Sequence, residues 1–343
     1  ADDPLVADSL FALGGVHLVR RENETAYELL EQALQIRRAL YGEQHADVGR
    51  ALNDLALITW RLGQHDDAAR MWQQALEINR AALGEDHPDL MFNLNNVAYA
   101  LSTRGYARES LPMYKAAFTL AEKTLGPEHP ELLLPLSNYA FVLVYLGELD
   151  DAEALCHRGL ALNEQQEPED YATRIILLSV LAEVHRQRDE LKEAQRLLED
   201  ALEMKRTQGY DSEFLESALT QVLLQQGDNE AAARYANETL KLTDAMPRWG
   251  TGAARLSAHT TLAVLTGKQE HVDEAFAAAV NEEVWISSMR RLTQLVALAN
   301  LLLERGDNER AQQVIDRAEL TLERGPGREQ PHAAEIFSQL KQS

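Results

Sequence analysis

Three copies of one seven-residue segment follow each other at intervals of 42 residues. They read Tyr-Gly-Glu-Gln-His-Ala-Asp at 41–47, Leu-Gly-Glu-Asp-His-Pro-Asp at 83–89 and Leu-Gly-Pro-Glu-His-Pro-Glu at 125–131. Glycine suits the end of a helix, because it has no side chain to clash when the backbone turns away. Proline just after it prevents the helix from continuing and is tolerated in the first turn of the next one. The segment therefore predicts a repeated link between helices.

Small residues recur with the same period of 42 on both sides of this link. Two of them lie seven residues apart on the second helix of each unit, so they share one stripe of that helix. A third lies on the preceding helix, and the two helices are expected to touch through these small residues as a hairpin. The three sets are Ala26, Ala68, Ser110, Ala152 and Ala194; Ala33, Ala75, Ala117, Gly159 and Ala201; and Gly14, Ala56, Ala98, Ala140 and Ala182.

Mostly larger residues occupy the position four residues after the first small one. A side chain at this place points between neighbouring hairpins, where its bulk is buried against the next repeat. We expect these residues to form the core of the array. They are Leu30, Trp72, Tyr114, Cys156 and Leu198.

This small–large–small pattern with a glycine turn resembles the tetratricopeptide repeat (TPR). The 42-residue unit and its Leu-Gly-x-x-His-Pro link resemble the kinesin light chain subtype, over roughly residues 7–209. The resemblance implies an all-α fold, a right-handed superhelix of about eight helical hairpins with a C-terminal capping helix. We expect regular repeats 1–5 in residues 1–209, irregular repeats 6–8 in 210–330 and the capping helix in 331–343.

Composition excludes several classes of partner. The 33 basic and 55 acidic residues give a net charge of −22, which repels nucleic acid and anionic membrane surfaces. The longest uncharged apolar stretch, Leu292–Leu303, is shorter than the ~20 residues that span a bilayer, and the lone Cys156 forms no internal disulfide. We expect a cytoplasmic protein without membrane insertion. The missing initiator Met favours a piece of a longer protein.

The inner face of repeats 2 to 4 is predicted from the register of the small residues. In a chain of charge −22, this lining is almost neutral and rich in amides and aromatic rings. Amides pair with a peptide backbone of any sequence, and aromatic rings hold apolar side chains. We therefore expect a protein or peptide ligand in a concave groove. The candidate residues are Arg50, Asn53, Asp54, Trp60, Arg61, Phe92, Asn95, Asn96, Tyr99, Asn138, Phe141 and Tyr145.

The resemblance adds roles to some of these positions. Members of the family hold a ligand backbone through an asparagine that Asn96 and Asn138 match, whereas Asp54 and Val180 replace it in two other repeats. The lysines that clamp a C-terminal carboxylate are missing from these positions, and Arg50 is a candidate to pair with an acidic ligand residue. The alternative is that the asparagines bond within the array and the aromatic rings are partly core.

Catalytic, metal and cofactor chemistry find no support in the sequence. His45, His87 and His129 recur every 42 residues, which places them too far apart to share one metal ion, and we expect them to bond to the backbone of the link. No phosphate-binding loop occurs, and Cys156 and His157 point in different directions on a helix. We expect a protein that is not an enzyme and has no cofactor.

The leading hypothesis is a protein–protein interaction scaffold. Resemblance implies a docking or sensor module of a larger bacterial signalling protein, such as one with a serine/threonine kinase domain. The alternative is a self-association module that forms a homo-oligomer through the irregular repeats. Its motivating features are Trp249, Trp285 and the stretch Leu292–Leu303.

Overall fold

The computed structural model describes residues 3–20, 22–166, 170–209, 214–245, 251–280 and 288–324. These residues form sixteen α-helices, and no strand occurs among them. The helices follow each other as eight pairs with short links, which confirms the all-α array of hairpins. The pairs are α1 Pro4–Val19 and α2 Asn23–Tyr41; α3 Ala46–Arg61 and α4 His65–Leu83; α5 Leu90–Thr103 and α6 Ala107–Leu125; α7 Leu133–Leu146 and α8 Leu149–Glu164; α9 Tyr171–Gln187 and α10 Leu191–Gln208; α11 Phe214–Gln226 and α12 Asn229–Ala245; α13 Thr251–Thr266 and α14 Gln269–Val280; α15 Ser288–Glu304 and α16 Asn308–Arg324.

The predicted small residues all lie in the interior. All fifteen members of the three sets are buried, and so are all five residues predicted to fill the space between hairpins. Trp72 and Tyr114 are the two largest side chains that are almost wholly inaccessible to solvent. The periodic pattern thus identifies both the contact line of each hairpin and the core between hairpins.

The links between hairpins have the structure that their sequence indicates. Gly42 and Gly84 end α2 and α4 with φ of 80° and 88° and ψ of 168° and 162°. This backbone region is open essentially to glycine alone. The Nδ1 atom of His45 then accepts a hydrogen bond from the backbone N–H of Asp47 at 3.2 Å, and His87 accepts one in the same way.

His129 caps the third link. Its Nδ1 atom accepts from the backbone N–H of Glu131 at 3.2 Å, before a short 3₁₀ turn, Pro130–Leu132, that leads into α7. The prediction that the periodic histidines bond to the backbone of the link is therefore confirmed.

The chain divides into two compact units. Unit 1 comprises Ala1–Ala100 with Pro112–Pro135, and unit 2 comprises Leu101–Leu111 with Leu136–Ser343. In unit 2, α13 to α16 share a core to which the stretch Leu292–Leu303 contributes most of its leucines. This stretch is therefore mainly core and not a surface for self-association. Trp249, Trp285 and the capping helix predicted for 331–343 lie outside the described residues, and the division at residues 209 and 330 stays a prediction.

Truncating one of the interhairpin residues should destabilise the array. Leu198 on α10 is almost fully buried, so Leu198→Ala removes apolar contacts and leaves a cavity. We expect the free energy of unfolding to fall by about 2–5 kcal/mol. Urea unfolding followed by circular dichroism measures this, with Val264→Ala on the exposed face of α13 as the control. Equal losses in both variants would contradict the assignment of Leu198 to the core.

Two histidines face each other inside the hairpin of α13 and α14. The Nδ1 atoms of His259 and His271 lie 3.2 Å apart. Burial lowers the pKa of His259, nearby Arg255 and His271 lower it further, and Glu274 and Asp244 oppose them. Because a hydrogen bond between the two nitrogens needs one without a proton, the neutral imidazole stabilises the folded hairpin.

Acidification should loosen this hairpin through His259. The unfolded imidazole binds a proton near pH 6.5, whereas the folded one binds it only at lower pH. This contribution to stability is complete above about pH 6.5 and is lost as the pH falls towards the folded pKa. Hydrogen exchange of α13 and α14 should therefore depend on pH more in the natural protein than in His259→Gln, after correction for intrinsic rates. His157→Gln is the exposed control, and identical pH dependence in all three would refute the role of His259.

Candidate peptide-binding site

The predicted groove residues lie on the first helices of three hairpins. Those at positions 50–61 lie on α3, those at 92–99 on α5 and those at 138–145 on α7. The residues of α3 and α5 belong to unit 1, and those of α7 belong to unit 2. Unit 1 therefore holds nine of the twelve candidates, and its part of the site is the one whose contacts can be followed in detail.

Asparagines of α3, α4 and α5 form a continuous amide network in unit 1. Asn79 donates to Asn93 at 2.8 Å, and Asn93 donates to the Oδ1 atom of Asn53 at 3.2 Å. Asn96 donates to the same oxygen at 3.0 Å, while Asn53 donates to Asp54 at 3.3 Å. Both lone pairs of the Asn53 oxygen are thus engaged within the chain. The network ties α3 to α5 and orients Asn96 and Asp54 from below.

Asp54 keeps hydrogen-bonding capacity for a ligand. Burial raises the pKa of its carboxyl group, whereas the hydrogen bond from Asn53 and the charges of Arg50 and Arg37 lower it. Asn53 is its one hydrogen-bond donor among the described residues. A carboxylate has about four acceptor sites, so Asp54 has room for N–H donors from a bound chain.

Aromatic rings gather beside the amide network. The ring centroid of Trp60 lies 5.3 Å from that of Tyr99, 5.4 Å from that of Trp72 and 4.1 Å, edge to face, from that of His65. Trp72 is buried and donates its indole N–H to the backbone oxygen of Asn53 at 3.1 Å. Such offset and edge-to-face pairs stabilise by about 0.5–1.5 kcal/mol beyond burial. The cluster is thus anchored in the core and fixes the position of Tyr99.

Phe92 and Tyr99 are the open part of this aromatic surface. Each has 39% of its surface exposed. Burial around the hydroxyl group raises the pKa of Tyr99, and a hydrogen bond with Trp60 lowers it. Tyr99 therefore presents an exposed ring edge while its hydroxyl group sits in a protected place and stays neutral in ordinary buffers.

Three other candidates are occupied by the chain itself. Arg50 donates to Asp89 at 3.1 Å, and Arg61 donates to the backbone oxygen of Leu18 at 2.9 Å. Asn95 is only 5% exposed. The two arginines act as links between neighbouring hairpins of unit 1, and the buried Asn95 is left out of the surface that we propose below.

The candidates of α7 form a smaller group in unit 2. The rings of Phe141 and Tyr145 are 5.9 Å apart, and Asn138, Phe141 and Tyr145 are all partly buried. Val180, which replaces asparagine in the fifth repeat, is buried. Asn138 is engaged in contacts of its own. Their role in binding stays a prediction.

Sequence reasoning missed Asn79 and Asn93. Asn93 is separated from Asn96 by one helical turn, so its place on the same side of α5 was readable from the spacing. Asn79 lies on the second helix α4, where no repeated pattern marks it. Its partner Gly49 gives the signal: a β-carbon at Gly49 would lie 2.1 Å from the Asn79 Oδ1 atom.

Reactive chemistry is not assembled in the described residues. The thiol of Cys156 is buried, which raises its pKa to about 12 with a smaller contribution from Glu153. Within the described ranges, no three histidine, cysteine or acidic residues come together to hold a metal ion. Among the same residues, no helix is both long and apolar enough to cross a bilayer.

With the fold and site described, comparisons place the chain among known proteins. The family described as the MalT-like TPR region matches residues 16–322. The chain belongs to this TPR family. The match confirms the tetratricopeptide resemblance, and proteins with this repeat are generally scaffolds for protein–protein interaction. No match was found among curated protein sequences.

Solved structures agree on the fold. BtubC (BKLC) from P. vanneervenii is 18% identical, with a TM-score of 0.51 over 61% of this chain and 84% of that one. Repeats of a putative kinesin light chain from Podosopora anserina are 23% identical, with a TM-score of 0.49 over 60% and 98%. A tetratricopeptide repeat protein from Parabacteroides merdae is 15% identical, with a TM-score of 0.47 over 98% and 99%. At such identities the first of these supports the fold alone.

Filling the space above Gly49 should break the amide network. Gly49→Ala forces the side chain of Asn79 to move, so the hydrogen bond to Asn93 is lost. We expect a fall of about 1–3 kcal/mol in the free energy of unfolding, although alanine favours the helix. Thermal and urea unfolding measure it.

The double variant Gly49→Ala/Asn79→Ala provides the control. It removes the clashing amide, so it should be more stable than the sum of the two single effects. Additive effects would show that Gly49 and Asn79 act independently.

Proposed function

We propose that this protein is a non-catalytic scaffold that binds a peptide or a helix of a partner protein on one surface of unit 1. We call this the α3–α5 surface; it consists of Asp54, Trp60, Phe92, Asn96 and Tyr99. The carrying observation is the stripe Phe92, Asn96, Tyr99, whose spacing of four and three residues places all three on one face of α5. An exposed aromatic–amide–aromatic stripe offers both apolar contact and hydrogen bonding.

The contacts beneath this surface favour binding. The amide network fixes Asn96 through its N–H donor and leaves its carbonyl oxygen without a donor from the described residues. Trp60 packs against the buried Trp72 and supports Tyr99 from the side. A surface that is ordered before binding loses little side-chain entropy when a ligand arrives, which strengthens affinity.

The wider role that fits this surface is docking. We place the protein in the cytoplasm as a docking or sensor module of a larger signalling protein, with Asn138, Phe141 and Tyr145 of unit 2 as further ligand contacts. The net charge of −22 favours partners with basic segments. Self-association through the stretch Leu292–Leu303 is disfavoured, because most of its leucines are core.

A photo-crosslinker can test the α3–α5 surface. p-Benzoylphenylalanine in place of Phe92 should capture a partner from lysate, which is then identified, purified and titrated against the unmodified protein. Tyr99→Ala should weaken the measured affinity at least tenfold, since it removes a supported aromatic contact. Tyr106→Ala, at a tyrosine of similar exposure outside the surface, should leave it unchanged.

The same experiment can overturn the proposal. If the captured protein binds Tyr99→Ala and the unmodified protein equally while both have equal helicity, the α3–α5 surface is not the binding site. If a crosslinker placed at Tyr106 captures the same partner and one at Phe92 does not, the ligand lies on another face.

A further inference from the structure

One exposed apolar side chain recurs at the same place in four consecutive repeats. Phe92, Leu134, Ile176 and Phe214 have between 37% and 47% of their surface exposed. The intervals are 42, 42 and 38 residues, and the last interval matches the shift of the buried small residues from Ala194 to Ala232. The row therefore follows the register of the repeats, even where their length changes. Two members lie in unit 1 and two in unit 2.

In unit 2, direct hydrogen bonds connect the first helices that carry this row. Arg186 of α9 donates to Gln225 of α11 at 3.3 Å, and Gln221 of α11 donates to Ser257 of α13 at 3.2 Å. These helices are therefore packed side by side, and helices in such contact have axes about 8–10 Å apart. Ile176 and Phe214 thus belong to adjacent helices, with one exposed apolar side chain for each helix.

This spacing selects among the conformations of a bound chain. A β-strand presents side chains on one face about every 6.6–6.8 Å, and an α-helix presents one at each turn of about 5.4 Å. A polyproline II chain has three residues per turn and a rise of 3.1 Å per residue, so it presents one about every 9.3 Å. Only the last period matches one contact per repeat.

The polar neighbours of Ile176 and Phe214 suit the same ligand. A polyproline II backbone makes no internal hydrogen bonds, so its carbonyl groups need donors from the protein or water. Gln225 is exposed and Gln221 partly exposed beside this row, and a glutamine amide both donates and accepts. The acidic net charge of the chain favours a ligand with basic residues between its apolar ones.

We propose that Ile176 and Phe214 form a second docking strip, which takes a basic, proline-rich segment in polyproline II conformation with an apolar side chain at every third residue. The inference goes beyond the α3–α5 surface, because it concerns unit 2 and names the conformation and spacing of the ligand. Phe92 and Leu134 offer the same register in unit 1.

Labelled synthetic peptides test the strip by fluorescence anisotropy on the full chain. The probe is the nonapeptide (Leu-Pro-Lys)₃, and its control is a peptide of the same composition whose leucines are not three residues apart. We expect the probe to bind at least tenfold more tightly than the control, whose charge is identical. Ile176→Ser and Phe214→Ser should each weaken the probe about tenfold, whereas Val264→Ser, at an exposed apolar residue of α13 outside the row, should not.

Three results would overturn the inference. They are equal affinity for both peptides, no effect of Ile176→Ser and Phe214→Ser, and no binding of the probe at millimolar concentration. The two proposals fail separately, because a partner captured at Phe92 and lost in Tyr99→Ala upholds the α3–α5 surface whatever the peptides do. Tighter binding of an amphipathic helical peptide of equal charge, sensitive to Ile176→Ser, would instead assign the strip to a helix.

Discussion

Close approach of helices through small side chains is the contact on which the whole array depends. Where Ala68 or Ala75 lies, any larger side chain would separate α4 from its neighbours and open a gap along the hairpin. Only when the helices touch can Trp72 fill the space to the next repeat. The amide network and the aromatic cluster follow from the same contact, because Trp72 both fills this space and donates to the backbone of Asn53.

The periodic pattern predicts most of the fold because each repeat solves the same packing problem. A position that faces a neighbouring helix in one repeat faces one in the next, so Tyr114 could be assigned to the core from Trp72. The histidine caps follow in the same way, since His45 and His87 meet the same backbone two residues later. Local chemistry and register together were sufficient for these features.

The candidate site was only partly readable. Register placed Asn53 and Asn96 on neighbouring first helices, but their mutual hydrogen bond depends on Asn79, which no repeat shares with them. Register also gave Arg50 an inward position without revealing that Asp89 claims it. Pairings between individual side chains depend on which neighbours compete for each donor, and a periodic pattern carries no information on such competition.

The repeat register also has a consequence for how arrays of this kind change length. A single inserted residue rotates everything after it by about 100° around a helix, which turns Ala152 or Ala194 away from its contact line. An inserted block of 42 residues brings its own glycine, its own histidine cap and its own small residues, so every downstream contact is reproduced. Duplication or loss of whole repeats is therefore far less disruptive than the smallest insertion within a helix. The exposed apolar row would grow or shrink in step with the number of hairpins.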